Sequence, residues 1–275
     1  MPILHAIVLG ITQGISEFLP ISSSGHLRLV PWLLGWHDFD GRTQLEQTFD
    51  VALHIGTLAA TVTYFWRDLV SYAVEGVRGI ARPRDMTPTG QLAWLLLLSA
   101  LPAAVAGALL EDTFAKIADH EWVIGLMLVA FGLLLGWSDR LPGERAVDDY
   151  RASDATLAGA AQILALVPGV SRSGITMTAT RRLRFDRDAA ARLSFLMALP
   201  ITGGAVLKKG VDLLGDFPHG FAAPFAWGIV SSAITGFAAV WFTLRFVRTH
   251  TFRPFVVYRV VVGAGVVLIA ISGLR

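Results

Sequence analysis

The chain has 275 residues, of which 54% are hydrophobic and only 16% are charged, and its mean hydropathy is +0.58. These values lie far from those of an average soluble domain and predict an integral membrane protein. The net charge of +2 is too small to indicate a nucleic-acid partner. The absence of cysteine excludes disulfides and thiolate metal sites, so any metal must be held by oxygen or imidazole.

The first predicted helix is apolar from Ile3 to Ile11 and lacks the basic residues that begin a signal peptide. Because Gln13 and Glu17 follow in the same helix, we expect the segment to belong to the mature fold. Pro20 and a serine-rich turn, Ser22-Ser23-Ser24-Gly25-His26, then interrupt the helix. Polar groups enclosed in apolar sequence of this kind are usually functional.

Both arms of this turn are short, since a membrane crossing needs about 20 apolar residues. The arms run from Ile3 to Phe18 and from Gly25 to Trp36. We therefore predict a re-entrant helical hairpin, which enters the membrane and returns on the same side. The spanning helices predicted after it are Phe49 to Trp66, Gln91 to Leu110 and Trp122 to Trp137.

A second copy of the polar turn follows the first at a constant offset of 149 residues. Gly159, Gln162 and Ser171-Arg172-Ser173-Gly174 repeat Gly10, Gln13 and Ser22-Ser23-Ser24-Gly25. A second hairpin is therefore predicted, with arms from Ala155 to Val167 and from Gly174 to Leu183. The spanning helices predicted after it are Ala189 to Leu214, Phe221 to Val247 and Pro254 to Leu274.

Each half of this all-α membrane protein is thus predicted to contain one re-entrant hairpin and three crossings. The halves cover approximately residues 1–140 and 150–275 of a single membrane domain. Because three crossings are an odd number, the second half is expected to be inverted relative to the first.

Arginine placement predicts the orientation, because cytoplasmic loops are enriched in Lys and Arg. Arginines are concentrated in the segments 67–90, 138–154, 181–188 and 245–253. The loops expected on the opposite side are 37–48, 111–121 and 215–220. Their only basic residues of the Lys and Arg type are Arg42 and Lys116. We therefore expect both termini outside, with the first hairpin entering from the outside and the second from the cytoplasm. The two turns would then meet near the middle of the membrane.

The second turn combines glycines and hydroxyls with Arg172, just before a predicted helix begins. A helix N-terminus presents unpaired N–H groups, glycine allows close approach, and arginine holds phosphate oxygens with two parallel hydrogen bonds. This pattern predicts an anion cradle. The alternative is a serine that caps the helix and an arginine that extends to the membrane surface.

The first turn also begins a helix, and His26 in its first turn can reach a hydroxyl or a phosphate. It can serve as general acid, general base or nucleophile, and the alternative is a histidine that only caps a serine-rich turn. Gln13 and Glu17 project from one helix face, where two oxygens can hold a hard cation that also contacts phosphate. The alternative is a buried glutamate that is hydrogen-bonded to its neighbours.

Two further polar residues lie near the start of the first spanning helix. Asp50 is interpreted as the N-cap of that helix. His54, one turn later, is either a helix histidine with satisfied hydrogen bonds or part of the wall of a site.

Taken together, these motifs resemble the undecaprenyl-pyrophosphate phosphatase family, also called the bacitracin-resistance family, over essentially the full length. The family pattern Glu/Gln-x-x-x-Glu is met by Gln13 and Glu17, and its serine-rich Gly-His segment by Ser22 to His26. The pattern P-G-x-S-R-S-x-x-T is met by Pro168 to Thr176. The first position here is Gln rather than Glu, which leaves one fewer negative charge for a cation.

The resemblance implies hydrolysis of undecaprenyl (C55) diphosphate to undecaprenyl phosphate in the bacterial plasma membrane, which recycles the lipid carrier of cell-wall synthesis. It also implies a divalent cation (Mg²⁺ or Ca²⁺), a site open to the periplasmic side, and an inverted-repeat fold that can form a homodimer. By position, Glu17 and Gln13 would serve the metal, and Glu17, Ser23, His26 and Arg172 would be catalytic. The residues implied to bind substrate are Ser22, Ser24, Ser171, Ser173 and Thr176.

A secondary transporter or flippase of the lipid phosphate is the alternative function, because inverted repeats with discontinuous helices also build secondary carriers. A non-catalytic scaffold does not explain the two clusters of polar residues. The sequence leaves three possibilities open: attack by Ser23, attack by His26, and activation of water by His26.

Overall fold

A computed structural model describes residues 1–39, 41–117, 120–215 and 220–272. These residues form α-helices and short 3₁₀ turns, and no β-strand occurs among them. The α-helices, in chain order, are α1 (Ile3–Phe18), α2 (Ser23–Leu34), α3 (Thr43–Tyr64), α4 (Trp66–Ala81), α5 (Pro88–Ile117), α6 (Glu121–Ser138), α7 (Ala152–Gln162), α8 (Arg172–Arg182), α9 (Arg187–Gly215), α10 (Ala222–Val247) and α11 (Arg253–Ser272).

Five helices are long and apolar enough to cross a membrane, within the described part of the chain. They lie in α5, α6, α9, α10 and α11, as Pro88–Leu110, Glu121–Ser138, Arg187–Lys208, Ala222–Val247 and Arg253–Ser272. The protein is therefore an all-helical, multi-pass membrane protein, as its composition predicts. The other predicted span, Phe49 to Trp66, lies largely within α3, where polar residues such as His54, Thr57 and Thr61 lower the hydropathy. The interpretation of Asp50 as the N-cap of this helix is wrong, because α3 begins at Thr43.

Helix α4 was not predicted, because its arginines and acidic residues place it within the segment 67–90 that was interpreted as a loop. Val70, Val74 and Val77 recur on one face of this helix and are all at least half exposed. An apolar stripe opposite a charged face is typical of a helix that lies in the membrane interface.

Both predicted hairpins form as a helix, a turn and a second helix. The first consists of α1 and α2, and the second of α7, a 3₁₀ turn over Ile163–Leu166, and α8. The two turns share one geometry: Ser22 has φ of 81° and Ser171 has φ of 75°, and each side chain accepts a hydrogen bond from the backbone N–H three residues later. Positive φ is unfavourable for serine, so this capping bond helps to hold both turns in the same strained conformation.

Each hairpin packs against a helix of the opposite half of the sequence, α1 against α10 and α7 against α5. Glycine makes both contacts possible. A Cβ added at Gly10 would collide with the carbonyl of Gly228, and one added at Gly159 would collide with the carbonyl of Ser99. Small residues let helix backbones approach this closely within membranes.

The largest buried cluster surrounds the place where the hairpins meet. Phe18, at the end of α1, packs edge-on against Phe195 of α9, with ring centroids 5.2 Å apart. Both rings are almost fully buried. This contact fixes the end of α1, and therefore the preceding residue, Glu17, against the helices of the second half.

Candidate active site

Glu17 is the residue at which the two turns meet. Its Oε2 accepts a 2.5 Å hydrogen bond from the hydroxyl of Ser23 and a 3.2 Å hydrogen bond from the side-chain amide of Gln13. Its Oε1 accepts a 2.8 Å hydrogen bond from Nη2 of Arg172. A second bond joins the turns directly, from the hydroxyl of Ser173 to the carbonyl of Leu19. The expectation that the two turns meet is confirmed.

Only one of the two terminal nitrogens of the Arg172 guanidinium group has a hydrogen-bond partner among the described residues. Nη2 contacts Glu17, whereas Nη1 is buried without a hydrogen-bond partner among the described residues. The side chain is 15% exposed. Because a guanidinium group can bind two oxygens in parallel, Nη1 is a donor that an anion at the site can use.

A small pocket reaches Glu17 and Arg172 between α3 and α9. Its wall combines apolar side chains with the hydroxyls of Thr57, Thr61 and Thr202. Ser23 is partly exposed beside the ion pair and Ser24 is exposed, whereas Ser22 is fully buried. Among the three serines of the first turn, Ser23 therefore combines access with a hydrogen bond to the carboxylate.

His26 is directed away from this group. Its Nδ1 donates a 2.7 Å hydrogen bond to the carbonyl of Ser22, and its Nε2 lies 2.7 Å from the hydroxyl of Tyr258 in α11. Since Nδ1 carries the proton, Nε2 accepts from Tyr258. No hydrogen bond described for His26 joins it to Ser23 or Arg172, so its predicted part in the chemistry stays a prediction.

The hydroxyls predicted to bind substrate in the second turn are engaged within the protein. Ser171 accepts from the backbone N–H of Gly174, and Ser173 donates to the carbonyl of Leu19. Thr176 is fully buried, where it bonds to the carbonyl of Arg172 and to the hydroxyl of Ser194. These contacts shape the turn, and a direct role with the diphosphate stays a prediction for all three residues.

The donors around Glu17 fit a divalent cation. Gln13 is fully buried, and its Oε1 has no hydrogen-bond partner among the described residues. This oxygen belongs to the residue whose amide Nε2 bonds to Glu17, and together with the carboxylate and the hydroxyl of Ser23 it is of the type of donor that a hard cation takes. The described residues contain no cluster of three His, Cys, Asp or Glu side chains that could hold a metal, so phosphate oxygens would have to complete the coordination.

A family model described as "Bacitracin resistance protein BacA" matches residues 6–265. The chain belongs to this family. The undecaprenyl-diphosphatase of Pelobacter propionicus is 47% identical over 277 aligned positions, which cover 100% of this chain and 99% of the relative. The undecaprenyl-diphosphatases of Trichlorobacter lovleyi and Moorella thermoacetica are 46% and 42% identical, and each match covers 100% of this chain and at least 99% of the relative.

Two residues outside the BacA family patterns quoted above contact Glu17 or the backbone of the two turns. Arg259, in the middle of α11, is fully buried, and its guanidinium group donates to five backbone carbonyls. One belongs to Pro20 in the first turn, two belong to the second turn, and two belong to α6. Arg259 was not predicted as a functional residue. A lone arginine inside a predicted span is nevertheless a signal that could have identified it, because such a charge needs partners in the protein.

His54 is the other residue. Its Nε2 lies 3.8 Å from Glu17 Oε2. The sequence interpretation left His54 open between a helix histidine and a wall of the site, and the structure places it beside the carboxylate of this BacA family member.

Proposed function

We propose that this chain hydrolyses undecaprenyl diphosphate to undecaprenyl phosphate and inorganic phosphate. One observation carries the proposal: Glu17 binds a hydroxyl from the first turn and a guanidinium group from the second. This arrangement combines an activated hydroxyl with an anion clamp, which are the groups that phosphoryl transfer needs. The relatives named undecaprenyl-diphosphatase match the chain from end to end, which supports this substrate.

Ser23 is the nucleophile that we assign to the reaction. Its hydroxyl donates to Glu17, so the carboxylate can take the proton while Ser23 Oγ forms a bond to the terminal phosphorus. The bond from that phosphorus to the bridging oxygen breaks, and undecaprenyl phosphate leaves with the electron pair. Water then attacks the phosphorus of the phosphoserine, and the bond from phosphorus to Ser23 Oγ breaks as Glu17 returns its proton to that oxygen. Both protons of the water stay on the phosphate, which is released as dihydrogen phosphate.

Arg172 stabilises the negative charge that shifts during this transfer. Its Nη1 has no hydrogen-bond partner among the described residues and is available to a phosphate oxygen. Stabilisation of developing charge by fixed donors is usually the largest contribution to catalysis. A divalent cation held by Glu17 and Gln13 would neutralise further charge on the diphosphate. Stripping it with a chelator should lower turnover, and adding it back should restore turnover.

An apolar groove adjoins the site and suits the prenyl chain of the substrate. The groove has a volume of about 430 Å³ and lies between α4, α5 and α9, where Tyr72, Trp94 and Leu196 line it. Leu199 lines both this groove and the small pocket at Glu17. A lipid tail in the groove would therefore lie next to a headgroup at the catalytic group.

We further propose that the two halves are inverted repeats with re-entrant hairpins, in a plasma membrane, with the site open to the periplasmic side. Two observations support the repeat. The turns at Ser22 and Ser171 have the same backbone geometry, and the first helix of each hairpin packs on a helix of the opposite half, α1 on α10 and α7 on α5. The concentration of arginines in four of the connecting segments supports the orientation.

Release of inorganic phosphate by the purified full-length protein in detergent tests the function. We expect release from undecaprenyl diphosphate with a divalent cation, and loss of release in Ser23→Ala. Ser272→Ala, at the exposed end of α11, is the matched control and should retain full activity. A wild-type protein that binds the lipid but releases no phosphate would support the transporter instead, and full activity in Ser23→Ala would remove the serine from the mechanism.

A further inference from the structure

His54 lies beside the catalytic carboxylate although neither of the two turn motifs contains it. Its Nε2 is 3.8 Å from Glu17 Oε2, the same oxygen that Ser23 and Gln13 contact. The side chain of His54 is 30% exposed, whereas that of Glu17 is 6% exposed. The imidazole therefore stands on the accessible side of the carboxylate.

The orientation of this ring is fixed by the helix that carries it. Nδ1 donates a 2.7 Å hydrogen bond to the carbonyl of Asp50, one turn earlier in α3. That bond keeps the proton of the neutral ring on Nδ1, so the lone pair is on Nε2, the nitrogen that lies 3.8 Å from Glu17 Oε2. Histidines that bind metals commonly donate their other ring N–H to a backbone carbonyl or carboxylate in this way.

We infer that His54 is a ligand of the divalent cation, through Nε2, together with Glu17 and Gln13. The inference rests on the proposed function, which assigns a cation to Glu17. Ligands bound at about 2.0 to 2.2 Å from one ion lie roughly 3 to 4 Å apart. The 3.8 Å separation of the His54 and Glu17 donors is within this range. Gln13 Oε1, buried and without a hydrogen-bond partner among the described residues, supplies the third donor once the side-chain amide, whose Nε2 bonds to Glu17 Oε2 here, rotates toward the ion.

Arg172 does not compete for the same position on the carboxylate. It bonds to Oε1, whereas His54, Gln13 and Ser23 all approach Oε2. One oxygen of Glu17 therefore serves the anion clamp, and the other faces the proposed ligands of the cation. The two positive groups would share one carboxylate, and the diphosphate oxygens would offset the remaining positive charge.

An imidazole ligand changes the expected identity of the metal. Mg²⁺ and Ca²⁺ take oxygen ligands, whereas imidazole favours first-row transition ions. A site of one carboxylate, one amide oxygen and one imidazole therefore favours an ion such as Mn²⁺ over Ca²⁺. This expectation is more specific than the one from the sequence, which considered only oxygen donors for the cation.

Mn²⁺ binding to the metal-stripped, full-length protein without substrate tests the inference independently of activity. Electron paramagnetic resonance measures the affinity, and electron spin echo modulation detects a directly bound nitrogen. We expect nitrogen modulation in the wild type and its loss in His54→Gln. Because changing even an outer partner of a metal ligand costs about 10- to 100-fold in affinity, we expect His54→Gln to bind Mn²⁺ at least about tenfold more weakly.

Two matched variants identify the source of the nitrogen signal. His26→Gln removes the buried histidine of the first turn, and His250→Gln removes an exposed histidine that follows the end of α10. Both should keep the modulation and the affinity of the wild type. Persistence of the modulation in His54→Gln, its loss in His26→Gln, or the absence of nitrogen coupling at saturating Mn²⁺ would each overturn the assignment.

Phosphate release, measured on the same samples, separates this inference from the proposed function. Release of phosphate without nitrogen coupling to Mn²⁺ would remove His54 from the metal site and leave the function intact. Nitrogen coupling in a protein that releases no phosphate with any divalent cation would retain the metal site and reject the function. Equal thermal unfolding temperatures for wild type and His54→Gln would show that the variant is folded.

Discussion

At the scale of single residues, the site depends on how one carboxylate is shared. Glu17 is buried in apolar surroundings, where an unpaired charge would be costly. Ser23, Gln13 and Arg172 together satisfy it with hydrogen bonds, and Arg172 balances its charge. The same contacts fix the hydroxyl and the guanidinium group relative to each other. The contacts that stabilise the buried carboxylate therefore also position the groups that we propose to react.

Arg172→Lys is expected to lower kcat/KM for phosphate release by about 100-fold, the lower end of the loss seen when one fixed donor to developing charge is removed. Lysine keeps the positive charge, but it cannot contact Glu17 and a phosphate oxygen through two parallel N–H groups. Steady-state kinetics of the purified variant measure the effect. Arg253→Lys, an exposed arginine at the start of α11, is the matched control. Near-normal turnover in Arg172→Lys would limit the arginine to its ion pair with Glu17 and remove it from the stabilisation of the phosphate.

The local motifs were sufficient to predict that Glu17, Ser23 and Arg172 form one group, because the offset of 149 residues aligned the two turns. They were not sufficient to predict the direction of the His26 ring. Its partner, Tyr258, is 232 residues away in the chain and approaches only when α2 and α11 both pack against α6. Likewise, the proximity of His54 to Glu17 depends on how α3 packs against α1, which no local pattern specifies.

At the scale of helices, the two hairpins are positioned by close backbone contacts and by one buried cation. Arg259 links both turns to α6 through carbonyl groups alone, and no carboxylate pairs with it in the described part of the chain. Each of these bonds is charge-assisted, and together they use Nε, Nη1 and Nη2. The register between the turns therefore depends on the shape of this guanidinium group as well as on its charge.

Arg259→Lys should lower kcat more than it raises KM, because Glu17 and Arg172 would no longer be held in register while the substrate surfaces stay intact. We also expect a lower thermal unfolding temperature in detergent, since carbonyls left unpaired cost roughly 1–3 kcal/mol each. A variant with reduced unfolding temperature but unchanged kcat would limit Arg259 to a structural role. Unchanged values for both would contradict the linkage altogether.

Gly159→Val should destabilise the protein by roughly 1–3 kcal/mol, the usual cost of overpacking a tight contact. The added side chain would collide with the backbone carbonyl of Ser99, which cannot move without displacing α5. Gly203→Val is the matched control, because a Cβ at Gly203 meets nothing within 4 Å. Thermal unfolding in detergent compares the two variants. An equal effect in both would mean that helix propensity, rather than the crossing of α5 and α7, determines the loss.

At the scale of the whole molecule, one chain builds a site from two distant segments because it forms two similar turns, and each turn is supported by a helix from the other half of the sequence. α1 packs on α10 and α7 packs on α5, so each turn is supported by the opposite half. The five apolar helices and the similarity of the two turns could be predicted from hydropathy and from the offset of 149 residues. Helix α4 could not, because its charged residues resemble those of a loop.

The orientation of the molecule decides which side of the membrane the substrate must approach, and single cysteines can test it because the native chain has none. Arg82 lies just beyond α4, in the arginine-rich segment expected in the cytoplasm, and Arg42 lies just before α3, in a segment expected outside. Both residues are exposed, so both should react once a reagent reaches their side of the membrane. An impermeant maleimide should therefore label Arg42→Cys in intact cells and Arg82→Cys only after the membrane is permeabilised. Labelling of Arg82→Cys in intact cells, with Arg42→Cys protected, would reverse the topology and place the first hairpin's entrance on the cytoplasmic side.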